Sequence, residues 1–500
     1  MNIKQAKIQI KNTITAYRTK NAYGQLVLPL HKQRPVFLIG APGIGKTAIM
    51  EQIAQELGIA LVSYSITHHT RQSALGLPYI SEVEHEGKKF RISEYTMSEI
   101  IAAIYKKMEE TGVIEGILFL DEINCVSETL TPAMLQFLQY KVFGQHKVPE
   151  GWIVVTAGNP PEYNQSVREF DMVTQDRLKR IDIEPDYEIW KEWAVNEGIE
   201  ACILSYLDIR KEDFYKVENT IDGRSFVTPR GWADLSNMIK LYKLNGIEVD
   251  ELLIRQYLQD EKTTRQFMTF YELWNKYEND YRVKDILEGK DTKILIERAK
   301  KAGFDERLSL MGLLLDAEKS VMKEAVDLRK MLESVKKLLS ERVNQSEKAV
   351  EGTLTEYLLN EVKLLREKVR PEKSALCSEK EQTESYMLME YLKNAVCQIE
   401  NISVEKDALD ILKKGYNEQL SRLKSMAVES SEKLENLFLF CEQAFGNGAE
   451  MLIVVTELTS SEVAAKFIGQ YGSEKYFQYN KELLFYERKK NVLSEIDELL

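Results

Sequence analysis

Gly40-Ala41-Pro42-Gly43-Ile44-Gly45-Lys46-Thr47 follows an apolar run, Val36-Phe37-Leu38-Ile39, and precedes a helix-forming run from Ala48-Ile49-Met50 to Leu57. The spacing G-x-x-x-x-G-K-[ST] between a strand and a helix predicts a loop wrapped around a triphosphate. Glycines at 40, 43 and 45 let peptide N–H groups turn inward and approach phosphate oxygen closely. Lys46 would bring a cation to the β- and γ-phosphates and Thr47 a hydroxyl to Mg²⁺, while the helix start at Ala48 adds a favourable dipole. A Gly-rich turn before an ordinary helix is the competing reading, and the flanking strand and helix weigh against it.

The chain has 500 residues, more than one hydrophobic core accommodates, so roughly two to four domains are expected. No window approaches the roughly 18 uninterrupted apolar residues of a membrane span. The first residues, MNIKQAKIQIKNTITAYR, carry charges throughout and no apolar h-region, which does not fit a secretory signal. A cytoplasmic location is expected. The net charge of −12 gives no support to nucleic-acid binding. Cys125, Cys202, Cys377, Cys397 and Cys441 form no CxxC pair and read as buried thiols of a reducing compartment. The histidines show no metal spacing; the adjacent His68 and His69 would face opposite sides of a strand.

Past Gly58 the pattern alternates. Leu61–Thr67 is β-branched and aromatic, Ile117–Leu120 and Ile153–Thr156 are apolar, and Ile181–Glu184 ends before Pro185. Short apolar runs separated by helical patterns predict a parallel sheet buried on both faces. Asp121-Glu122 then falls at a strand's carboxyl end, where open parallel sheets bind ligands. Asp121 is assigned to the metal opposite Thr47, and Glu122 to orienting or deprotonating the attacking water. An acidic pair capping the next helix, Ser127 to Tyr140, is the alternative. Asn159, in Thr156-Ala157-Gly158-Asn159-Pro160, falls at the same edge, although Asn-Pro is also ordinary turn chemistry.

GAPGIGKT, ILFLDEIN, TAGNP, QDRLKR (175–180) and FVTPRGW (226–232) together resemble an AAA+ ATPase, most closely the MoxR-like group, over roughly residues 30–240. The resemblance implies ATP and Mg²⁺, a hexameric ring with nucleotide between subunits, and an arginine reaching the neighbour's γ-phosphate. It makes Asn159 sensor 1, Arg177 the arginine finger with Arg180 in reserve, and Arg230 sensor 2. A guanidinium suits either arginine role because its planar donors match phosphoryl oxygens. Pro229 would occupy the first turn of the sensor 2 helix. The implied fold is an α/β P-loop NTPase core with a parallel sheet (1–185), an all-α lid (186–290), connecting helices (291–345) and a helical C-terminal domain without an assigned role (346–500).

Two insertions look like working surfaces. Val83–Ile92 alternates about Glu86-Gly87, predicting a hairpin, and Thr96-x-x-Glu99 reads as a capping box for the next helix. Tyr140–Val148 alternates about Gly144, predicting a second hairpin. The resemblance turns such insertions toward a ring pore, making Tyr79, Phe143 and His146 candidate contacts. Loops packed on their own subunit are the alternative.

Of eleven prolines only Pro371 lies beyond Pro229, which fits long helices. Trp190, Trp193 and Trp232 read as lid core. Val321, Ala325, Leu328, Leu332, Val335 and Leu339, then Leu358, Val362, Leu365 and Val369, recur at 4/3 spacing, predicting an intramolecular helical bundle over a coiled coil between chains. Glu341–Glu351 and Pro371–Glu384 are candidate hinges, and Met451–Leu458 fits either a strand or a buried helix. The resemblance implies chaperone-like maturation of a protein partner, often one with a von Willebrand factor A domain. A nucleic-acid-linked AAA+ protein is the alternative; it would want a basic pore stripe, and the second hairpin offers only Lys141 and Lys147.

Overall fold

Alternating side chains explain why the sheet forms. Along one strand Ile117 and Phe119 enter one apolar core while Leu118 and Leu120 enter the other, all fully buried. A strand buried on both faces needs helices above and below it. The computed structural model describes every residue except 69–73, 75, 86–87, 144, 164–166, 168–169, 221–222, 291, 347–352, 370–378, 400–401, 403 and 482–500. The turn at Glu86-Gly87, Gly144, His69, Cys377 and the hinge stretches 347–351 and 371–378 therefore lie outside the described residues, whereas the rest of both candidate hinges, 341–346 and 379–384, is helical rather than a break.

Elements run α1 (Ile3–Tyr17), β1 (Val36–Gly40), α2 (Lys46–Leu57), β2 (Ala60–Ser65), β3 (Pro78–His85), β4 (Lys88–Tyr95), α3 (Glu99–Thr111) and β5 (Gly116–Asp121). Then follow α4 (Thr131–Tyr140), β6 (Val142–Phe143), β7 (His146–Lys147), β8 (Trp152–Gly158), α5 (Met172–Gln175) and β9 (Lys179–Ile183). The five-stranded sheet has the order β2-β5-β8-β1-β9, and every pairing is parallel. Helices α1 and α2 cover one face through Ile10, Ile14, Met50 and Ile53; α3 and α4 cover the other through Ile100, Ile104 and Phe137. α1, which apolar runs did not reveal, is fixed by a capping box between Asn2 and Gln5.

Both predicted hairpins form, as β3–β4 and β6–β7. Thr96 does not cap α3. Its N–H donates to Leu77 O and its hydroxyl accepts from Leu77 N at 2.9 Å, closing the base of the β3–β4 hairpin, and Ser98 takes the cap position. α4 starts at Thr131 rather than Ser127, because a 3₁₀ turn at Ile123–Cys125 and a turn from Ser127 intervene.

The chain divides into two compact units, Met1–Ile189 with Thr228–Gly231, and Trp190–Val227 with Trp232–Leu500. Helices α6 (Tyr187–Glu197) and α7 (Ala201–Ile209) precede a hairpin of β10 (Lys216–Thr220) and β11 (Gly223–Val227), which stands among the expected lid helices. There follow α8 (Pro229–Asn245), α9 (Glu251–Tyr257), α10 (Glu261–Tyr281), α11 (Val283–Leu287), α12 (Lys293–Lys301) and α13 (Phe304–Ser346). The last described helices with defined bounds are α14 (Leu354–Lys368), α15 (Glu379–Ile399), α16 (Glu405–Phe445), α17 (Ala449–Ser460) and α18 (Glu462–Tyr471). Met451–Leu458 is therefore helical, with Val454, Val455 and Leu458 buried.

α13 is the axis of the second unit, packing on α7, α10, α15, α16, α17 and α18. The 4/3 seam is buried within this one chain, at Ala325, Leu328, Leu332 and Val335. Trp232 is fully buried, and Trp190 and Trp193 half-buried. Cys202 and Cys441 are buried, but Cys397 is exposed on α15, contrary to expectation. No described helix is long and apolar enough to cross a membrane.

Glu318 of α13 is fully buried against α16, where one carboxyl oxygen accepts from Ser430 Oγ at 2.5 Å and the other lacks a partner. Burial pushes its carboxyl up from 4.5 to about 8. Between those values the folded chain holds a proton that the unfolded chain has released, so stability is greatest below the lower value and falls as pH rises toward the upper. Urea melts at several pH values should show this loss, roughly 3–6 kcal/mol across the window, and Glu318→Gln should remove this part of the slope.

Candidate active site

Because β5, β8 and β1 are neighbours, their carboxyl ends bring Asp121, Asn159 and Gly40 side by side at one edge of the sheet. The loop from Gly40 turns into α2 through Gly43 and Gly45, with φ of 76° and 91°, where a Cβ would be strained. Lys46, the first residue of α2, is only 8% exposed. Its ammonium donates to Gly40 O at 2.7 Å, Ala41 O at 2.8 Å and Asn159 Oδ1 at 2.8 Å. Burial lowers it to about 8; Asp121 opposes the shift and Arg230 adds to it.

Thr47 Oγ1 lies 3.3 Å from Asp121 Oδ2, to which it donates. A hydroxyl beside a carboxylate is a hard oxygen pair suited to Mg²⁺. Among the described residues no three His, Cys, Asp or Glu side chains gather as a metal cluster. Such a pair fits Mg²⁺, which keeps several waters and draws other ligands from substrate phosphates.

Glu122 has a left-handed backbone, φ 56°, and its N–H donates to Asp121 Oδ1 at 2.9 Å. Its Oε2 accepts from Ser65 Oγ at 3.2 Å and Thr67 Oγ1 at 3.1 Å. Register accounts for this, since Ser65 of β2 pairs with Asp121 of β5. Asn124 Nδ2 donates to the Asn159 carbonyl at 2.8 Å, tying the turn after β5 to the end of β8. Gly158 is required there, because a Cβ would lie 2.4 Å from Asn124 Oδ1. Asn124 lies within the ILFLDEIN run, so its neighbours in sequence mark it, whereas Ser65 and Thr67 come to Glu122 only through the strand order.

Arg230 is exposed, and its Cβ lies 3.3 Å from where a Gly43 side chain would begin, so it stands over the phosphate loop. Thr228 Oγ1 accepts from Gly231 N at 3.1 Å at the start of α8, with Pro229 its first residue. Arg177 is exposed and donates to Gln139 Oε1 at 2.8 Å. Arg180 is instead paired with Asp182 at 2.9 Å.

The hairpins β3–β4 and β6–β7 meet at Glu94, which accepts from Tyr79 at 2.8 Å and also bonds Gln145. Tyr79 is 47% exposed and His146 half-buried. Phe143 is not a surface contact: it is fully buried and stacked on Phe137 of α4, ring centroids 4.0 Å apart. Lys141 is buried too, its ammonium donating to Leu138 O at 2.6 Å, which leaves Lys147 as the exposed lysine of this hairpin.

A family model, AAA (ATPase family associated with various cellular activities), matches residues 36–174. The match runs from β1 into α5, spans the phosphate loop, Asp121-Glu122 and Asn159, and supports an ATPase domain of the AAA+ type. Arg177, Arg180 and Arg230 lie beyond it. A search of curated proteins finds no match.

A bound triphosphate should restore the proton that Lys46 sheds above about pH 8. Calorimetry of ATP binding at pH 9, in buffers of differing ionisation enthalpy, should show proton uptake that vanishes in Lys46→Met. Asn124→Ala should act through Asn159. Turnover is expected to fall roughly tenfold or more while KM for ATP changes little, the mark of a positioning residue seen in steady-state kinetics.

Proposed function

We propose that this chain is a MoxR-like AAA+ ATPase that uses ATP hydrolysis to remodel or mature a protein partner, working as a homo-oligomeric ring. One observation carries the nucleotide chemistry: Lys46, Thr47, Asp121, Glu122 and Asn159 converge at one sheet edge. Mg²⁺, held by Thr47 and by Asp121, directly or through water, would offset phosphate charge when bound. Loop N–H groups from Gly40 to Ala48 and the Lys46 ammonium bind and orient the triphosphate. Glu122 orients the attacking water and takes its proton as the water oxygen bonds the γ-phosphorus and the bond to the β–γ bridging oxygen breaks. Asn159 aligns that water or a γ-phosphate oxygen. Arg230 offsets charge from its own subunit and Arg177 from a neighbouring one. Arg177 is preferred over Arg180 because Arg180 is ion-paired with Asp182, whereas Arg177 donates to the neutral Gln139 amide.

The protein client rests on the MoxR-like resemblance, with a von Willebrand factor A partner as one form of it. Burial of Lys141 removes one of the two lysines that a nucleic-acid stripe would have used. Tyr79 and His146 remain the candidate client contacts.

Glu122→Gln should retain ATP binding and lose turnover by roughly 10²–10⁴-fold in a steady-state assay. Equal turnover of variant and wild type would reject the assignment. Proteins captured by this variant in the presence of ATP should stimulate the wild-type ATPase and DNA should not; the reverse would favour the nucleic-acid reading.

A further inference from the structure

The second unit contains a cavity of about 520 Å³ that the nucleotide chemistry does not use. It opens between α7, α13 and the α17–α18 pair, and its walls include Leu204, Leu308, Met311, Leu315 and Val463. The volume is within the usual range for small-molecule sites, which pair apolar walls with a few polar groups.

The sign of the preferred ligand follows from which charges inside it are already satisfied. Lys319 is held by Glu457 at 3.4 Å, Lys466 by Glu462 at 2.5 Å, and Lys240 by the Gly198 carbonyl. Asp316 also lines the cavity, and among the described residues its carboxylate accepts no hydrogen bond and forms no ion pair. Desolvation, reinforced by Glu200, holds its carboxyl above the ordinary range although Lys243 and Lys319 act through space against the shift, so a cation seated directly on it would be favoured. Lys323, Asp327 and Lys330 continue along α13, one acid between two bases, and leave the outer stretch of the helix without a dominant sign.

We infer that this cavity is a binding site for a small amine, its ammonium on Asp316 and its apolar body against Leu204, Met311 and Leu315. The site lies wholly within the helical unit and is independent of the ATPase assignment.

Three isosteric probes test it on the full chain by isothermal titration: cyclohexylmethylamine, cyclohexylmethanol and cyclohexanecarboxylate. The amine should bind saturably and at least about tenfold more tightly than either relative. Asp316→Asn should lose that preference while keeping wild-type ATPase. Val463→Trp, which narrows the cavity from α18 and keeps the Asp316 carboxyl, should lose amine binding as well, so the test survives if one variant fails to fold. Equal binding of all three probes, preference for the carboxylate, or amine binding unchanged in either folded variant would overturn the inference.

Discussion

A buried ammonium governs the first unit. Lys46 is enclosed almost completely, yet its three hydrogen bonds all go to neutral oxygens, two carbonyls and an amide. Its nearest carboxylates, Asp121 and Glu122, act on it through space, and Arg230 works against it. Desolvating a charge without a direct counter-ion is costly. An anion placed beside it would recover much of that cost. The loop around Lys46 turns through positive φ at Gly43 and Gly45, with the Arg230 Cβ close by.

The strand order then determines what can face that cation. With β8 between β5 and β1, the ends of three non-consecutive strands meet, and residues up to 113 positions apart come within hydrogen-bonding distance. Local patterns were legible because each was complete in one stretch: the phosphate loop, the acidic doublet, the asparagine after β8, and the alternation of both hairpins. Pairings that depend on register were not. Ser65 and Thr67 look like ordinary polar residues in a β-branched run until Ser65 is set beside Asp121. Phe143 misled for the opposite reason. A two-residue strand has no periodicity with which to assign a face, and stacking on Phe137 took its ring inward.

The helical unit was legible in class but not in detail. Its 4/3 seam announced packed helices, whereas the polar groups that fix their arrangement come from distant segments. Lys191 donates to Asp208 at 2.8 Å and pairs with Glu457 at 2.5 Å, and Glu457 also meets Lys319. Burial opposes the charge on Lys191, but Glu457 and Asp208 outweigh it and hold the lysine above its ordinary range. Removing Lys191 would leave the half-buried Asp208 without this partner and Glu457 with Lys319 alone, so the four constrain α6, α7, α13 and α17 together. Asn196 adds a fourth tie by accepting the Glu462 N–H at the start of α18. No local pattern foretells such a network, because each member reads as a charged residue on an amphipathic helix.

Glu122 shows how the two scales combine. A left-handed backbone at a residue other than glycine costs roughly 1–3 kcal/mol, and such strain persists only where surrounding contacts outweigh it. Here the compensation comes from both sides. The Glu122 N–H is bound by the Asp121 side chain, and the carboxylate by two hydroxyls from the end of β2 and the turn after it. Asp121 meanwhile faces Thr47 through its other oxygen. One carboxylate thus faces the phosphate loop while bracing the strained peptide, and the next is turned toward β2 by that same peptide. Two adjacent acids in an extended strand would point to opposite faces of the sheet. Ending the strand in this left-handed turn is what allows both to serve one edge.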